Sequence, residues 1–413
     1  CMIRLFLSVC VILLLTACDN ESISYRSNDL SDANVYLSTS PYKDVIANCI
    51  RAISEQETCP LATLPFLGMD TVNPDITDIM SRVVVSHKWM GERFEEVLNT
   101  LPVEILPLFN AVTAIVIDDD IRPAYYTRGT AAIYLDPAFL WLSLSEKRSI
   151  NPKEDFRSNF ADDLNFNVGF RYVKDGENAY KSNSLLDDSI RQLEDITLRF
   201  SRLLLHELAH ANDFMPPNSF SGLNTQNTPF EEISNKEASW VSTRLINISP
   251  LDSETMFSLA QVMYTGTKAT SAEKELGASE VSDAFEPDGA AFAYAYTSQF
   301  EDLAMLFEMS LMNYFYNVEA EVYFTSPAIE QCSEWRSLNR IGESHVKSRA
   351  EFISSQILND INFEPFFQHY AAAETTTNDW CLAETNVSSA TATSNASLIP
   401  ALIPKDDFII PYL

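Results

Sequence analysis

The chain has 413 residues, of which 46% are hydrophobic and 21% are charged, and its formal net charge is −30. So acidic a chain is a poor partner for nucleic acids or for an anionic lipid surface, because like charges repel. The acidic residues are spread along a chain that is rich in core-forming residues. The composition therefore favours a folded protein with a solvated acidic surface over a disordered chain.

The first segment has the pattern of a secretory signal. Arg4 is followed by an apolar run from Leu5 to Leu15, which is too short to span a bilayer. Leu15-Thr16-Ala17-Cys18 then resembles a bacterial lipobox, which implies cleavage before Cys18 and lipidation of that cysteine. The alternative is an ordinary signal peptide with a coincidental cysteine. The resemblance predicts a lipid-anchored protein of the bacterial cell envelope, facing the periplasm or the cell surface, and leaves the choice of membrane open.

Removal of residues 1–17 as a signal peptide leaves 413 − 17 = 396 residues, enough for one large domain or two unequal ones. We predict a lipidated cysteine and polar tether at 18–40 and a helical region at 41–105. The main domain is predicted at 106–370, and a Ser/Thr/Ala-rich tail at 371–413.

Four cysteines lie beyond Cys18. An even number of cysteines in an exported protein favours two disulfides, for which three pairings exist. Closure of the shorter loops favours Cys49–Cys59 and Cys332–Cys381.

The pattern of apolar residues predicts the elements in chain order. The strongest helix of the first region is expected from Asp75 to Asn99, and strands are expected at 111–117, 129–135 and 165–172. Asp175-Gly176 then signals a hairpin turn. We expect these strands to form one small twisted sheet that packs on the following helix, within an α+β fold whose remainder is mostly helical. An exposed edge strand of such a sheet can bind an extended peptide, and 130–135 is the favoured edge.

The next helix carries the most informative pattern, His206-Glu207-Leu208-Ala209-His210, in a chain with only five histidines. It is predicted to begin near Asp188-Ser189 and to end at Met215. Histidines four residues apart lie on the same face of a helix, so both imidazoles can bind a single Zn²⁺. Glu207 lies beside that face, where a general base can act on zinc-bound water. The alternative is a helix that buries two hydrogen-bonded histidines. Further helices are predicted at 230–246, 251–265, 299–316 and 346–359.

A catalytic zinc usually has three protein ligands and one open position. The candidate for the third ligand is Glu301, which begins an apolar helix that would pack against the His206–His210 helix. The alternative is structural, because Ser298-x-x-Glu301 also fits a capping box.

Together these motifs resemble a known family. His206-Glu207-Leu208-Ala209-His210-Ala211-x-Asp213, followed by Tyr294 and by Glu301-x-x-Ala304-x-x-Phe307, is similar to the gluzincins. Within them the chain most resembles the lethal-factor-like and Bacteroides-type zinc-binding metallopeptidases. The resemblance implies a zincin-like domain at 106–370, with His206, His210 and Glu301 as zinc ligands and Glu207 as the general base. It also implies that Tyr294 donates to the developing oxyanion; the alternative for Tyr294 is an aromatic core residue.

The chain departs from this family at one position. Many relatives carry a second glutamate four residues after the ligand glutamate, where this chain has Met305. Asp213, Asp302 or Glu308 is a candidate to replace that carboxylate beside the metal ligands. His345 is a candidate second oxyanion donor, or simply a residue near a helix N-terminus.

The sequence thus predicts peptide-bond hydrolysis by a membrane-anchored lipoprotein that binds one Zn²⁺ and acts on a peptide or protein substrate. Two alternatives remain open. One is a zinc-binding lipoprotein that recognises a partner without turnover, and the other is a zincin-fold amidase that acts on cell-wall material. The first of these would tolerate replacement of Glu207, whereas a peptidase would not.

Overall fold

A computed structural model describes residues 28–52, 58–180, 185–186, 188–326 and 333–377. The strands are β1 (Asn34–Val35), β2 (Val83–Val85), β3 (Ala114–Ile117), β4 (Tyr125–Thr127), β5 (Ala132–Leu135), β6 (Asn167–Lys174), β7 (Glu177–Asn178), β8 (Glu319–Thr325), β9 (Ser333–Leu338) and β10 (Glu374–Thr377). The helices are α1 (Ile46–Cys49), α2 (Leu67–Asp70), α3 (Ile76–Met80), α4 (Lys88–Leu98), α5 (Leu144–Lys147), α6 (Leu193–Phe214), α7 (Pro229–Ser234), α8 (Val241–Ile248), α9 (Glu254–Thr265), α10 (Ser271–Glu275), α11 (Ala278–Phe285), α12 (Gln299–Tyr316), α13 (Ser344–Ile357) and α14 (Glu364–His369). Helices and two small sheets agree with the predicted α+β class. Among the helices of the described residues, none has the length and apolar character needed to cross a membrane.

The first sheet has the strand order β1-β2-β3-β5-β4, with β2, β3 and β5 parallel to one another. Alternate residues of these strands point to opposite faces. On one face, Val83, Ile115 and Ile133 join the main hydrophobic core, and on the other Val84 and Val116 pack with Ile46 and Ile50. Burial on both faces explains why these strands are continuously apolar.

The second sheet has the strand order β10-β9-β8-β6-β7 and is antiparallel throughout. Its β6–β7 hairpin turns at Asp175 and Gly176, whose φ angles are 53° and 84°. Two positive φ angles in a two-residue turn are what a type I′ hairpin requires, so this predicted turn is confirmed.

Two predictions about the sheets are wrong. The strand predicted at 165–172 is β6, which pairs with β8 of the second sheet rather than with the strands before it. The strand predicted at 129–135 is β5, which lies between β3 and β4 and is not an edge. The edge on that side is β4, because the short segment Tyr125–Thr127 pairs antiparallel with β5. A segment of three residues is too short to show the alternation of apolar and polar residues from which a strand is predicted.

The predicted helix from Asp75 to Asn99 is also wrong. It divides into α3, the strand β2 and α4. Three consecutive β-branched residues, Val83 to Val85, favour an extended backbone, and pairing with Ile115 to Ile117 stabilises it. The first sheet thus includes strands from before residue 106, where the main domain was predicted to begin.

The predicted tether and tail are partly ordered. β1, within the predicted tether at 18–40, pairs with β2, and Ala33 beside it is fully buried. β10, within the predicted tail, pairs with β9. The predicted Cys49–Cys59 disulfide is confirmed, with its Cα atoms 5.2 Å apart. Cys18 and the other predicted pair, Cys332 and Cys381, lie outside the described residues.

Candidate metal centre

The candidate centre lies where α6 and α12 pack along each other. α6 begins at Leu193 rather than near Ser189, because Gln192 and Asp195 form its capping box. It ends at Phe214, just before Met215-Pro216-Pro217, as predicted. The predicted helix at 299–316 is confirmed as α12, and Ser298 caps it through the backbone N–H of Glu301. Glu301 therefore takes part in the capping of α12 through its backbone, which leaves its side chain free to face α6.

Among the described residues, His206, His210 and Glu301 form a group in which one ligand atom of each lies within 4.8 Å of the others. Glu301 Oε2 lies 3.1 Å from His206 Nε2, and Glu301 Oε1 lies 3.7 Å from His210 Nε2. Ligand atoms about 2.0–2.2 Å from a tetrahedral Zn²⁺ are about 3.3 Å from one another. The three side chains are thus spaced as the ligands of one zinc ion would be.

The electrostatics of the group also favour a cation. Burial lowers the pKa of His206, but the hydrogen bonds and the negative charges of Glu301 and Glu308 together outweigh burial and raise it to about 10. His210, in contrast, has both ring nitrogens buried without a hydrogen-bonding partner of normal geometry, and burial lowers its pKa. A neutral imidazole with an unused nitrogen is the form that binds a metal. A divalent cation held by His206 Nε2, His210 and Glu301 would supply the positive charge that a proton on His206 otherwise supplies to these carboxylates.

Glu308 is the carboxylate that fixes the orientation of His206. Its Oε2 lies 3.0 Å from His206 Nδ1, and its Oε1 accepts hydrogen bonds of 2.8 Å from both Arg202 Nε and the Tyr172 hydroxyl. A carboxylate on the outer nitrogen of a ligand histidine sets the tautomer that leaves Nε2 for the metal. Glu308 lies seven residues after Glu301, about two helical turns, and so on the same face of α12.

The other two candidates for this role lie elsewhere. Asp213 Oδ1 accepts the backbone N–H of Ser242 at the start of α8, at 2.7 Å, and burial raises its pKa to about 7. Asp302 forms a buried ion pair with Arg349. Of the three residues predicted for this role, Glu308 is the one whose side chain contacts a candidate ligand in the structure. Arg202 and Tyr172, its partners, were not predicted, although Arg202 lies four residues before His206 on the same face of α6.

Glu207 is fully buried, and neither of its carboxylate oxygens has a hydrogen-bonding partner of normal geometry. Burial, reinforced by the Glu301 carboxylate, raises the pKa of Glu207 to about 8, although His206 and the backbone N–H of Tyr126 on β4 favour the ionised form. An orphaned buried carboxylate costs folding free energy, so it is rarely retained without a role. A cation bound by the neighbouring ligands would favour the ionised form of Glu207.

Tyr294 lies in a 3₁₀ helix at Ala293–Thr297 and is buried beside His206, with ring centroids 6.3 Å apart. Burial and the nearby Glu301 carboxylate raise the pKa of its hydroxyl well above the usual value. That hydroxyl has no hydrogen-bonding partner of normal geometry. A neutral phenol next to the candidate ligands is thus available as a donor.

His345 is placed differently. It is exposed on the first turn of α13, and its Nε2 lies 3.1 Å from the backbone carbonyl oxygen of Asp288. It is not part of the group formed by His206, His210 and Glu301 among the described residues. The structure thus favours the alternative prediction for His345, a residue near a helix N-terminus.

No family model, no curated protein and no solved structure matches the chain.

Proposed function

We propose that the protein is a zinc-dependent peptidase with a zincin-like arrangement, in which His206, His210 and Glu301 hold one Zn²⁺. The observation that carries the proposal is Glu207, a fully buried carboxylate without a hydrogen-bonding partner of normal geometry, beside three side chains that could hold one metal ion. A zinc site that only stabilises the fold has no use for such a carboxylate, whereas hydrolysis requires a base at this position.

Each residue of the site has a role in this reaction. His206, His210 and Glu301 would hold the zinc ion, which would supply a Lewis acid for the scissile carbonyl and for a bound water molecule. Glu207 accepts the proton of the attacking water and delivers it to the leaving amine nitrogen, as the carbon–nitrogen bond breaks. Tyr294 donates a hydrogen bond to the carbonyl oxygen as that oxygen gains negative charge. Glu308 holds the His206 ring in place.

A second candidate function is zinc binding without turnover, and the burial of the site favours it. His206 and His210 are each 1% exposed, Glu301 is 3% exposed and Glu207 is 0% exposed. Structural zinc sites are closed, while a catalytic site must admit a substrate. A peptide reaches Glu207 only after a covering segment moves, so the peptidase proposal includes such a movement.

Replacement of Glu207 tests the two functions against each other. The zinc-loaded protein is incubated with a defined mixture of synthetic peptides, and fragments are identified by mass spectrometry. The peptidase proposal predicts cleavage that falls about 10²- to 10⁴-fold in Glu207→Gln while the zinc content stays the same. Glu194→Gln, an exposed glutamate on the same helix, is the matched control and should cleave normally. Zinc-loaded wild type that cleaves nothing would support binding without turnover.

We also propose that the protein is anchored to the cell envelope through a lipid on Cys18, which rests on the lipobox pattern alone. Metabolic labelling with a fatty-acid analogue tests this, since label on the wild type and none on Cys18→Ala is expected. Equal labelling of both would contradict it.

A further inference from the structure

One buried cation near the candidate centre has no role in the reaction described above. Arg157 is 7% exposed and lies in the loop between α5 and β6. Its Nε donates to both carboxylate oxygens of Asp155, at 2.8 and 2.9 Å, and its Nη2 also contacts Asp155. Its Nη1 is buried without a hydrogen-bonding partner. A guanidinium nitrogen left in this state costs free energy unless a ligand satisfies it.

The loop of Arg157 packs against the elements that surround Tyr294. The ring of Phe160 fills the space above Gly266 at the end of α9, where a Cβ would lie 2.5 Å from the ring. Tyr264, on the last turn of α9, has its ring centroid 4.9 Å from that of Tyr294. Packing thus connects the loop to the side of the centre on which Tyr294 lies.

The charge of Arg157 also acts on Tyr294. Burial and Glu301 raise the pKa of the Tyr294 hydroxyl, and the Arg157 guanidinium opposes them more strongly than Glu207 reinforces them. The other charged groups that act on Tyr294, Glu301 and Glu207, are acidic. Arg157 is therefore a positive group whose charge acts on the side of the centre where Tyr294 lies.

We propose that Arg157 Nη1 binds a carboxylate of the peptide substrate on the Tyr294 side of the scissile bond. This inference rests on the proposed peptidase function and deepens it by naming a substrate class. Asp155 holds the guanidinium in a fixed orientation, so little side-chain entropy is lost when the substrate binds. A carboxylate satisfies Nη1 with a charge-assisted hydrogen bond, which is about twice as strong as the bond a neutral carbonyl makes. The carboxylate is either the C-terminus of a short peptide or an Asp or Glu side chain.

Binding to an inactive, zinc-loaded protein tests this without turnover. Glu207→Gln is titrated by calorimetry with N-acetylated peptides in matched pairs, one pair with a free or amidated C-terminus and one with an internal Glu or Gln. The same titrations are made with Arg157→Gln and Arg157→Lys in the Glu207→Gln background. Arg148→Gln, which removes an exposed arginine, is the matched control. Zinc content and a thermal melt establish that each variant is folded and loaded.

In one of the two pairs, we expect the peptide that carries the carboxylate to bind about 10- to 100-fold more tightly than its neutral counterpart. This preference should disappear in Arg157→Gln. Arg157→Lys keeps the positive charge but lacks the planar set of guanidinium donors, so it should retain part of the preference. Preference for the free C-terminus identifies a terminal carboxylate, and preference for Glu identifies a side chain. Zinc-loaded protein that binds all peptides equally, or that keeps its preference in Arg157→Gln, would overturn the inference and leave the peptidase proposal standing. Absence of peptide binding to zinc-loaded protein would overturn both.

Discussion

Glu308 on α12 and His206 on α6 are joined by a contact of 3.0 Å between Oε2 and Nδ1, in a fully buried position. The carboxylate also accepts hydrogen bonds from Arg202 and Tyr172, so its orientation is fixed from three sides. In the proposed site, Glu308 thus supplies the carboxylate that the resemblance predicted at position 305, where this chain has methionine.

The first prediction concerns Glu308. Glu308→Gln should weaken zinc binding about 10- to 100-fold, because a neutral amide no longer raises the basicity of the His206 ring or fixes its tautomer. Competition with a chromogenic chelator measures the affinity. Glutamine keeps the size of the side chain and an oxygen for Arg202, so the fold should survive. Unchanged affinity in a folded variant would show that Glu308 only neutralises Arg202.

The second prediction concerns Tyr294. Tyr294→Phe should lower kcat about 10²- to 10³-fold while zinc content and KM change little, because the hydroxyl acts on charge that develops only in the transition state. Steady-state kinetics on a cleaved peptide provide both constants. Tyr264→Phe removes a hydroxyl from the ring packed on Tyr294 and is the matched control. Normal kcat in Tyr294→Phe would leave Tyr294 as a core residue.

The third prediction separates Asp302 from the metal centre. Asp302 Oδ1 accepts a 2.9 Å hydrogen bond from Arg349 Nη1, and Arg349 also donates to the carbonyl oxygens of Ser249 and Gly289. Asp302→Ala leaves this buried guanidinium without its counter-charge and should lower the free energy of unfolding by about 3–5 kcal/mol. Urea denaturation measures the loss. Zinc content below the melting temperature should stay the same, and a loss of zinc from folded Asp302→Ala would contradict this assignment.

The fourth prediction is a pH dependence. Burial raises the pKa of Asp118, at the end of β3, from 3.8 to about 6, and the carboxylates of Asp119, Asp120 and Asp29 add to the rise. Between these two values the folded state holds a proton that the unfolded state has lost, so the contribution of Asp118 to stability falls as pH rises from about 4 to about 6.

Asp118→Asn removes this titration and keeps an oxygen for the backbone N–H of Asp120. The variant should therefore be more stable than wild type at pH 7, by on the order of 1 kcal/mol, and the difference should vanish near pH 4. Urea denaturation at several pH values measures it. A difference that does not depend on pH would contradict a raised pKa for Asp118.

The sequence predicted the parts of the structure that local patterns determine. Histidines four residues apart bring two side chains to one face of α6, and the turn at Asp175-Gly176 needs only two residues. The boundaries of α12 and the Cys49–Cys59 bond followed from periodicity and from short loop closure.

The errors arose where distant segments decide the outcome. Val83 to Val85 is extended because β3 pairs with it, and β6 joins β8, which lies far along the chain. Glu308 could be named only as one of three candidates, because the face of α12 that meets His206 depends on how α6 and α12 pack. Arg157 carries no local pattern, and only folding brings its charge near Tyr294.

The central claim is that His206, His210 and Glu301 bind one zinc ion, and metal analysis of purified protein by mass spectrometry tests it most directly. After incubation with zinc and removal of excess metal, we expect about one zinc per chain in wild type. The content should fall sharply in Glu301→Ala, because two histidines alone hold zinc weakly. Glu275→Ala, an exposed glutamate, is the matched control and should keep its zinc. Full zinc in Glu301→Ala would place the third ligand elsewhere, and no zinc in wild type would contradict the account as a whole.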